Sequence, residues 1–198
     1  MRSSGLMLLA LAMTGCASVP SIPAPPFLNG NNDGVREAHL SDDIAVRLPM
    51  PPAYPETRVL MQTVRAQYGD QRQAFEALLS LSPDEVEIVV TAASGPRLST
   101  IRWDRAGVHE DRTLLVPQGM PVENILGDLF VTLWPRDAVA HALPDGVEVR
   151  EETGGGRTIL AANTPLIEVR PVEGHEDQET VRNFARNYVL TITSRPIQ

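Results

Sequence analysis

Four histidines and a scatter of carboxylates are the residues best able to do chemistry in this chain. His109-Glu110-Asp111 and His175-Glu176-Asp177 repeat one tripeptide, a donor set that suits a divalent metal. Neither copy has the i, i+4 spacing that puts two ligands on one helix face. Both sit in polar text that reads as turn or strand edge, so solvated turns are expected and no metal or cofactor is assigned. His39 and His141 stand alone. Asn29, Asn31, Asp33 and Gly34 imitate the opening of a calcium loop, but Leu40 occupies the place of the closing bidentate glutamate. Glu151 and Glu152 are adjacent and would face opposite sides of a strand. There is no Gly-x-Ser-x-Gly elbow, and Gly154-Gly155-Gly156 lies between strand-like runs, where it reads as a hairpin tip and not as a phosphate cradle. No catalytic residue is assigned, and an enzyme is not expected.

Composition narrows the classes further. The 198 residues are 42% hydrophobic and 21% charged, with a net charge of −8, and all seventeen basic residues are arginine. An acidic chain lacks the positive footprint that nucleic acid demands, and 5% aromatic residues leave few platforms for stacking. One cysteine excludes an internal disulfide and a thiolate zinc site.

That cysteine is Cys16. It follows Arg2, an apolar run from Leu6 to Met13, and Thr14-Gly15. The run is too short to span a bilayer and reads as a secretory signal. Met13-Thr14-Gly15-Cys16 resembles the lipobox of bacterial lipoproteins. That resemblance implies cleavage before Cys16, acylation of its thiol and amine, and stable membrane anchoring. Ala17, in place of aspartate, implies delivery to the outer membrane, facing the periplasm.

The expected organisation is a signal peptide over 1–15, an acylated tether over 16–55 and one domain over 56–198. The tether holds eight of the seventeen prolines and the turn-forming Asn29 to Gly34. From Glu56 the text alternates with period two. Leu60, Val64, Ala66 and Tyr68 share a face, then Phe75, Ala77, Leu79 and Leu81, then Val86, Ile88 and Val90. Turns at Gly69-Asp70, Ser82-Pro83-Asp84, Ser94-Gly95-Pro96 and Asp104 to Gly107 make these an antiparallel meander continuing through Leu98 to Trp103 and Val108 to Leu115. Pro121 opens a helix striped with Val122, Ile125, Leu126, Leu129, Phe130 and Leu133, which Trp134-Pro135 breaks, and Arg136 to Leu143 forms a second. Strands resume over Val147 to Glu152, Arg157 to Ala162 and Leu166 to Val172. Glu173 to Glu179 reads as loop, and Val181 to Ile192 as a closing strand or strand pair. The fold class is mainly β (α+β): a curled antiparallel half-barrel of about nine strands with the helical insert on its concave face.

Several stretches resemble a family of uncharacterised bacterial lipoproteins related to the LolA and LolB lipoprotein-localisation proteins. They are the Leu60 to Leu81 hairpin, Leu98 to Trp103, Leu126-Gly-Asp-Leu-Phe-Val-Thr-Leu-Trp-Pro135, Ala138 to Leu143 and Phe184 to Ile192. The likeness spans about residues 50 to 195. It implies an open barrel that holds acyl chains around its helices, a LolA-like carrier as partner, and a genetic setting beside aryl polyene synthesis. Ser94, Gly95 and Pro96 stand where LolB carries an exposed, membrane-inserting leucine, and Ser94 lacks that apolar side chain. The ligand-cavity candidates are Leu60, Val64, Phe75, Leu79, Ile88, Val90, Trp103, Ile125, Leu129, Phe130, Leu133 and Trp134. Arg65, Arg97 and Arg102 are weighed as head-group partners against ordinary solvated charges. The expected molecule is a monomeric outer-membrane lipoprotein that shelters an acyl or polyene chain. The alternatives are an anchored interaction domain using its sheet edge and, behind it, an acyl-ester hydrolase.

Overall fold

A computed structural model describes residues 36–93, 95–115 and 121–197. A short hairpin comes first, β1 (Glu37–His39) and β2 (Ala45–Arg47). The first meander follows as β3 (Arg58–Tyr68), β4 (Gln71–Leu81), β5 (Val86–Ala92), β6 (Arg97–Asp104) and β7 (Gly107–Arg112). Two helices, α1 (Val122–Leu133) and α2 (Arg136–Ala142), separate it from β8 (Val147–Glu151), β9 (Arg157–Ala161), β10 (Thr164–Val172), β11 (His175–Asn183) and β12 (Tyr188–Ile197).

Ten of these strands form one antiparallel sheet in the order β7-β6-β5-β4-β3-β12-β11-β10-β9-β8. The two meanders join where the last strand pairs with β3, in the register Tyr188↔Tyr68 and Ile192↔Val64. Strands β7 and β8 are the two edges, so the sheet is not a closed barrel. Alternation sorts the faces. Leu79, Leu81, Val86, Ile88, Ile101, Trp103, Val108, Ile159, Ile167 and Val181 are buried on the inner side. Gly69, at φ +55, makes the β3–β4 tip in a conformation that costs glycine little.

Two expectations are corrected. The stretch read as loop, 173–179, contains only the Glu173-Gly174 turn, and β11 already begins at His175. Its residues up to Thr180 are polar on both faces, so no apolar alternation marks it. The ladder forms regardless, because strand pairing with β10 and β12 satisfies backbone groups whatever the side chains are (Glu179↔Pro171 and Glu179↔Ile192). The closing segment is a strand pair around the turn at 184–187. At the other end, β7 stops at Arg112, short of Leu115, which is exposed.

The larger correction concerns 36–55, the described part of the expected tether. Ala38, Leu40, Val46, Leu48 and Tyr54 are buried in the same core as the sheet. The Trp103 indole N–H donates to Pro49 O at 2.9 Å, and that of Trp134 to Pro52 O at 2.8 Å. Prolines lack N–H groups but keep their carbonyls, and here those carbonyls meet the only donors that two buried indoles possess. The imitation calcium loop over Asn29 to Gly34 lies outside the described residues.

Helix α1 lies close against β1. A Cβ on Gly127 would sit 2.9 Å from His39 O, so only glycine permits this approach. Pro121 stands just before the first helical turn as its N-cap, one place earlier than expected. At the other end Trp134 N–H bonds Phe130 O, and Arg157 Nη1 donates to Val131 O and Trp134 O at 2.8 and 2.7 Å. A cation on carbonyls at a helix C-terminus complements both their lone pairs and the helix dipole. Trp103 stacks on Trp134 with centroids 5.0 Å apart, and Phe130 and Tyr54 complete the aromatic cluster.

Candidate functional site

The apolar stripe of α1 has two sides with different fates. Val122, Leu126, Phe130 and Val131 are buried in the core, whereas Ile125, Leu129 and Leu133 are only partly covered. These three face a cleft of about 790 Å³ between the helix and the inner side of the sheet. Val64, Ala66, Phe75, Ala77, Leu79, Ile88 and Val90 from β3, β4 and β5, with Leu190 and Ile192 from β12, form the opposite wall. The volume lies within the range of small-ligand sites, and the lining is mainly apolar with a few placed polar groups, as such sites require.

Those polar groups follow a pattern. Deep in the cleft, Gln62 on β3 donates through Nε2 to Ser194 Oγ at 3.0 Å, spanning two paired strands. Midway along α1, Asp128 Oδ2 accepts a 2.6 Å hydrogen bond from the Tyr188 hydroxyl. Asn183 Nδ2 approaches the same hydroxyl at 3.4 Å and donates to Leu40 O at 2.9 Å. Arg186 Nη1 and Nη2 donate to His39 O and Ser41 O. This network ties α1, the β11–β12 turn and the N-terminal hairpin together at one end of the cleft. Burial pushes the Asp128 carboxyl up to about 7, against the opposing pull of the Tyr188 hydrogen bond and the Arg186 charge. The Tyr188 phenol is raised too, by burial first and then by the neighbouring carboxylate.

A second buried carboxyl bears on stability. Glu179 shares the inner face of β11 with Val181, and burial raises it to about 7, with the charge of Arg157 opposing. Its folded value exceeds its ordinary value of about 4.3, so between about pH 4 and 7 the folded state holds more protons than the unfolded chain. The stability this group contributes is full below about pH 4 and is lost as pH rises through 7. Glu179→Gln is therefore expected to shrink the difference in unfolding free energy between pH 5 and pH 8 by about 1–3 kcal/mol, read from urea melts at the two pH values. An unchanged difference would exclude Glu179 as its source.

Of the twelve cavity candidates, Val64, Phe75, Leu79, Ile88, Val90, Ile125, Leu129 and Leu133 line the cleft. Leu60, Trp103, Phe130 and Trp134 do not. Leu60 is core, and the two indoles and Phe130 are packed against one another. Trp134 instead borders a separate depression of about 690 Å³ with Arg36, Leu48 and Ala138. Asp128, Tyr188, Arg186 and Gln62 went unnoticed in the sequence. One signal was present: Asp128 is a lone acid inside an otherwise apolar helical stripe.

The remaining candidates disperse. His109 lies on the edge strand β7 opposite Arg102, His141 Nδ1 is 2.8 Å from Asp137 O on α2, and His175 starts β11. Among the described residues no three His, Cys, Asp or Glu side chains gather as metal ligands. Arg97 pairs with Asp111 and Arg102 with Glu85 and Glu87, while Arg65 is exposed on the outer side of β3. Cys16 and Ser94 lie outside the described residues. Gly95 and Pro96 belong to the β5–β6 turn, where Gly95 N–H bonds Ala92 O and Pro96 O accepts from Ala92 N–H. The register places that turn at the same end of the sheet as Tyr68 and the β11–β12 turn. Exposed large apolar side chains collect there: Tyr68, Leu114, Leu115 and Phe184.

An open, ten-stranded antiparallel sheet with an apolar cleft under one helix defines a mostly β protein with two helices. The chain belongs to the family described as "Protein of unknown function (DUF3261)", whose model matches residues 59–196. No curated protein matches it. Among solved structures it is similar to the LolA superfamily protein NE2245 from Nitrosomonas europaea, at 9% identity and a TM-score of 0.43, over 72% of this chain and 86% of that one.

Proposed function

We propose that the cleft between α1 and the β3–β5 and β12 walls binds a single apolar chain, acyl or polyene. The chain would be sheltered from water while it is moved to or held at the outer membrane. The observation that carries this reading is the cleft, with twelve apolar side chains along its walls. A buried methylene contributes about 0.8 kcal/mol, so a dozen of them outweigh the ordering cost of binding. The apolar side chains exposed at one end of the sheet suit an entrance that meets lipid. In the fuller reading, α1 is an insert on the concave face of a curled sheet. Cys16 is acylated and anchors the chain to the periplasmic side of the outer membrane, and a LolA-like carrier delivers the cargo. Catalysis has no part in it.

The test uses N-phenyl-1-naphthylamine, a neutral probe that fluoresces in apolar surroundings, together with native mass spectrometry of protein from the producing cell. The expected results are micromolar probe binding and a co-purified lipid. Leu129→Trp, which places an indole in the cleft, should weaken the probe at least about tenfold while leaving the thermal midpoint within a few degrees. Cys16→Ser should release the protein from the membrane fraction. A wild-type protein that binds neither probe nor lipid overturns the cargo reading.

A further inference from the structure

The polar lining of the cleft gathers toward one end, where Asp128 and Asn124 of α1 and Arg186, Asn187 and Tyr188 of the β11–β12 corner stand near the amides of Gln71 and Gln73 on β4. Only one oxygen of Asp128 is engaged there. Oδ2 accepts the hydrogen bond from the Tyr188 hydroxyl, and among the described residues no group donates to Oδ1. The carboxyl is nonetheless on the cleft lining. The cation nearest to it, Arg186, has two donors committed to the carbonyls of His39 and Ser41, which holds its guanidinium on the hairpin. Asp42, from the hairpin tip, adds a second carboxylate to the lining.

From this geometry we infer that the polar end of the cleft selects amphiphiles whose head group donates hydrogen bonds, hydroxyl or ammonium, and rejects those with an anionic head. The inference rests on the cleft being a chain-binding site. A donor head meets Asp128 Oδ1 while the tail runs along Ile125, Leu129 and Leu133. An anionic head there has no donor to offer and stands beside Asp128 and Asp42 in a partly desolvated space, where like charges repel more than in water. The Tyr188 hydroxyl, already donating to Oδ2, positions the carboxyl and is not free to neutralise such a head.

The test is displacement of bound N-phenyl-1-naphthylamine at pH 8.5, where Asp128 is ionised, by sub-micellar 1-monolaurin, dodecylammonium and dodecyl sulfate. These three carry saturated twelve-carbon chains and differ in the head. Wild type is expected to bind the first two at least about tenfold more tightly than dodecyl sulfate. Asp128→Asn, which keeps the shape and removes the charge, should bring all three within about threefold, chiefly by improving dodecyl sulfate. Tyr188→Phe removes the bond to Oδ2 without removing the acidic group, and should keep the order of the three amphiphiles. Equal displacement by the three amphiphiles in wild type overturns the head-group inference and leaves the cleft reading standing. If Asp128→Asn does not fold, the wild-type ratio alone decides. Failure of the neutral probe to bind at all overturns both.

Discussion

A chain cut to begin at Glu56, the boundary that sequence pattern alone recommends, is expected to lose cooperative unfolding. One beginning at Arg36 should keep it. The shorter chain lacks Leu40, Val46, Leu48 and Tyr54, all buried in the shared core. At about 1.5–3 kcal/mol for each large apolar side chain, the loss is about 6–12 kcal/mol, comparable with the whole stability of a domain. It also strips Pro49 O and Pro52 O from two indoles that stay buried, adding the desolvation cost of unpaired donors. Asn183 and Arg186 lose the carbonyls of Leu40, His39 and Ser41 as well. Circular dichroism melts of the two chains read the outcome. A sharp transition in the shorter chain would show that the hairpin is ornament.

Trp134→Ala should produce the largest loss of any single truncation, about 3–5 kcal/mol. Its ring stacks on Trp103, meets Phe130 and Tyr54, and is 1% exposed. Its backbone is also the C-cap of α1, so the void opens where helix, sheet and N-terminal segment meet. Trp134→Phe keeps most of the volume but leaves Pro52 O without its donor, and a smaller loss of about 1–2 kcal/mol is expected. Chemical denaturation with the far-ultraviolet signal measures both. If alanine cost less than about 1 kcal/mol, the aromatic cluster would not be what joins helix, sheet and N-terminal segment.

Parity explains most of what was readable in advance. In β3, β4 and β5 the alternating residues declare which side is apolar, and Gly69-Asp70 declares the tip, so the five cleft residues Val64, Phe75, Leu79, Ile88 and Val90 follow from strand pattern. Helix α1 was legible from its spacing, and its end from Trp134-Pro135. Pattern failed where a segment is held by something other than its own periodicity. Strand β11 is polar on both faces until Val181 and exists because its neighbours offer hydrogen bonds on either side. The 36–55 segment contributes isolated anchors and proline carbonyls, which no periodicity reports.

The site shows the same division. Ile125 and Leu129 looked no different from Leu126 and Phe130, since a helical stripe shows that a side chain is apolar and not whether its neighbour fills the space beside it. Asp128, Tyr188 and Arg186 are far apart along the chain, and only the closing of β12 onto β3 sets the Tyr188 hydroxyl 2.6 Å from the carboxyl. Sequence by itself determined the hairpins, the helices and the sidedness of each, because those depend on residues within a few places of one another. Tertiary structure alone decided that the two meanders join by β12 pairing with β3, that the proline-rich segment belongs to the core, and which side of the helix faces the gap. Each of these depends on how surfaces distant in the chain fit, and steric fit is not written in local order.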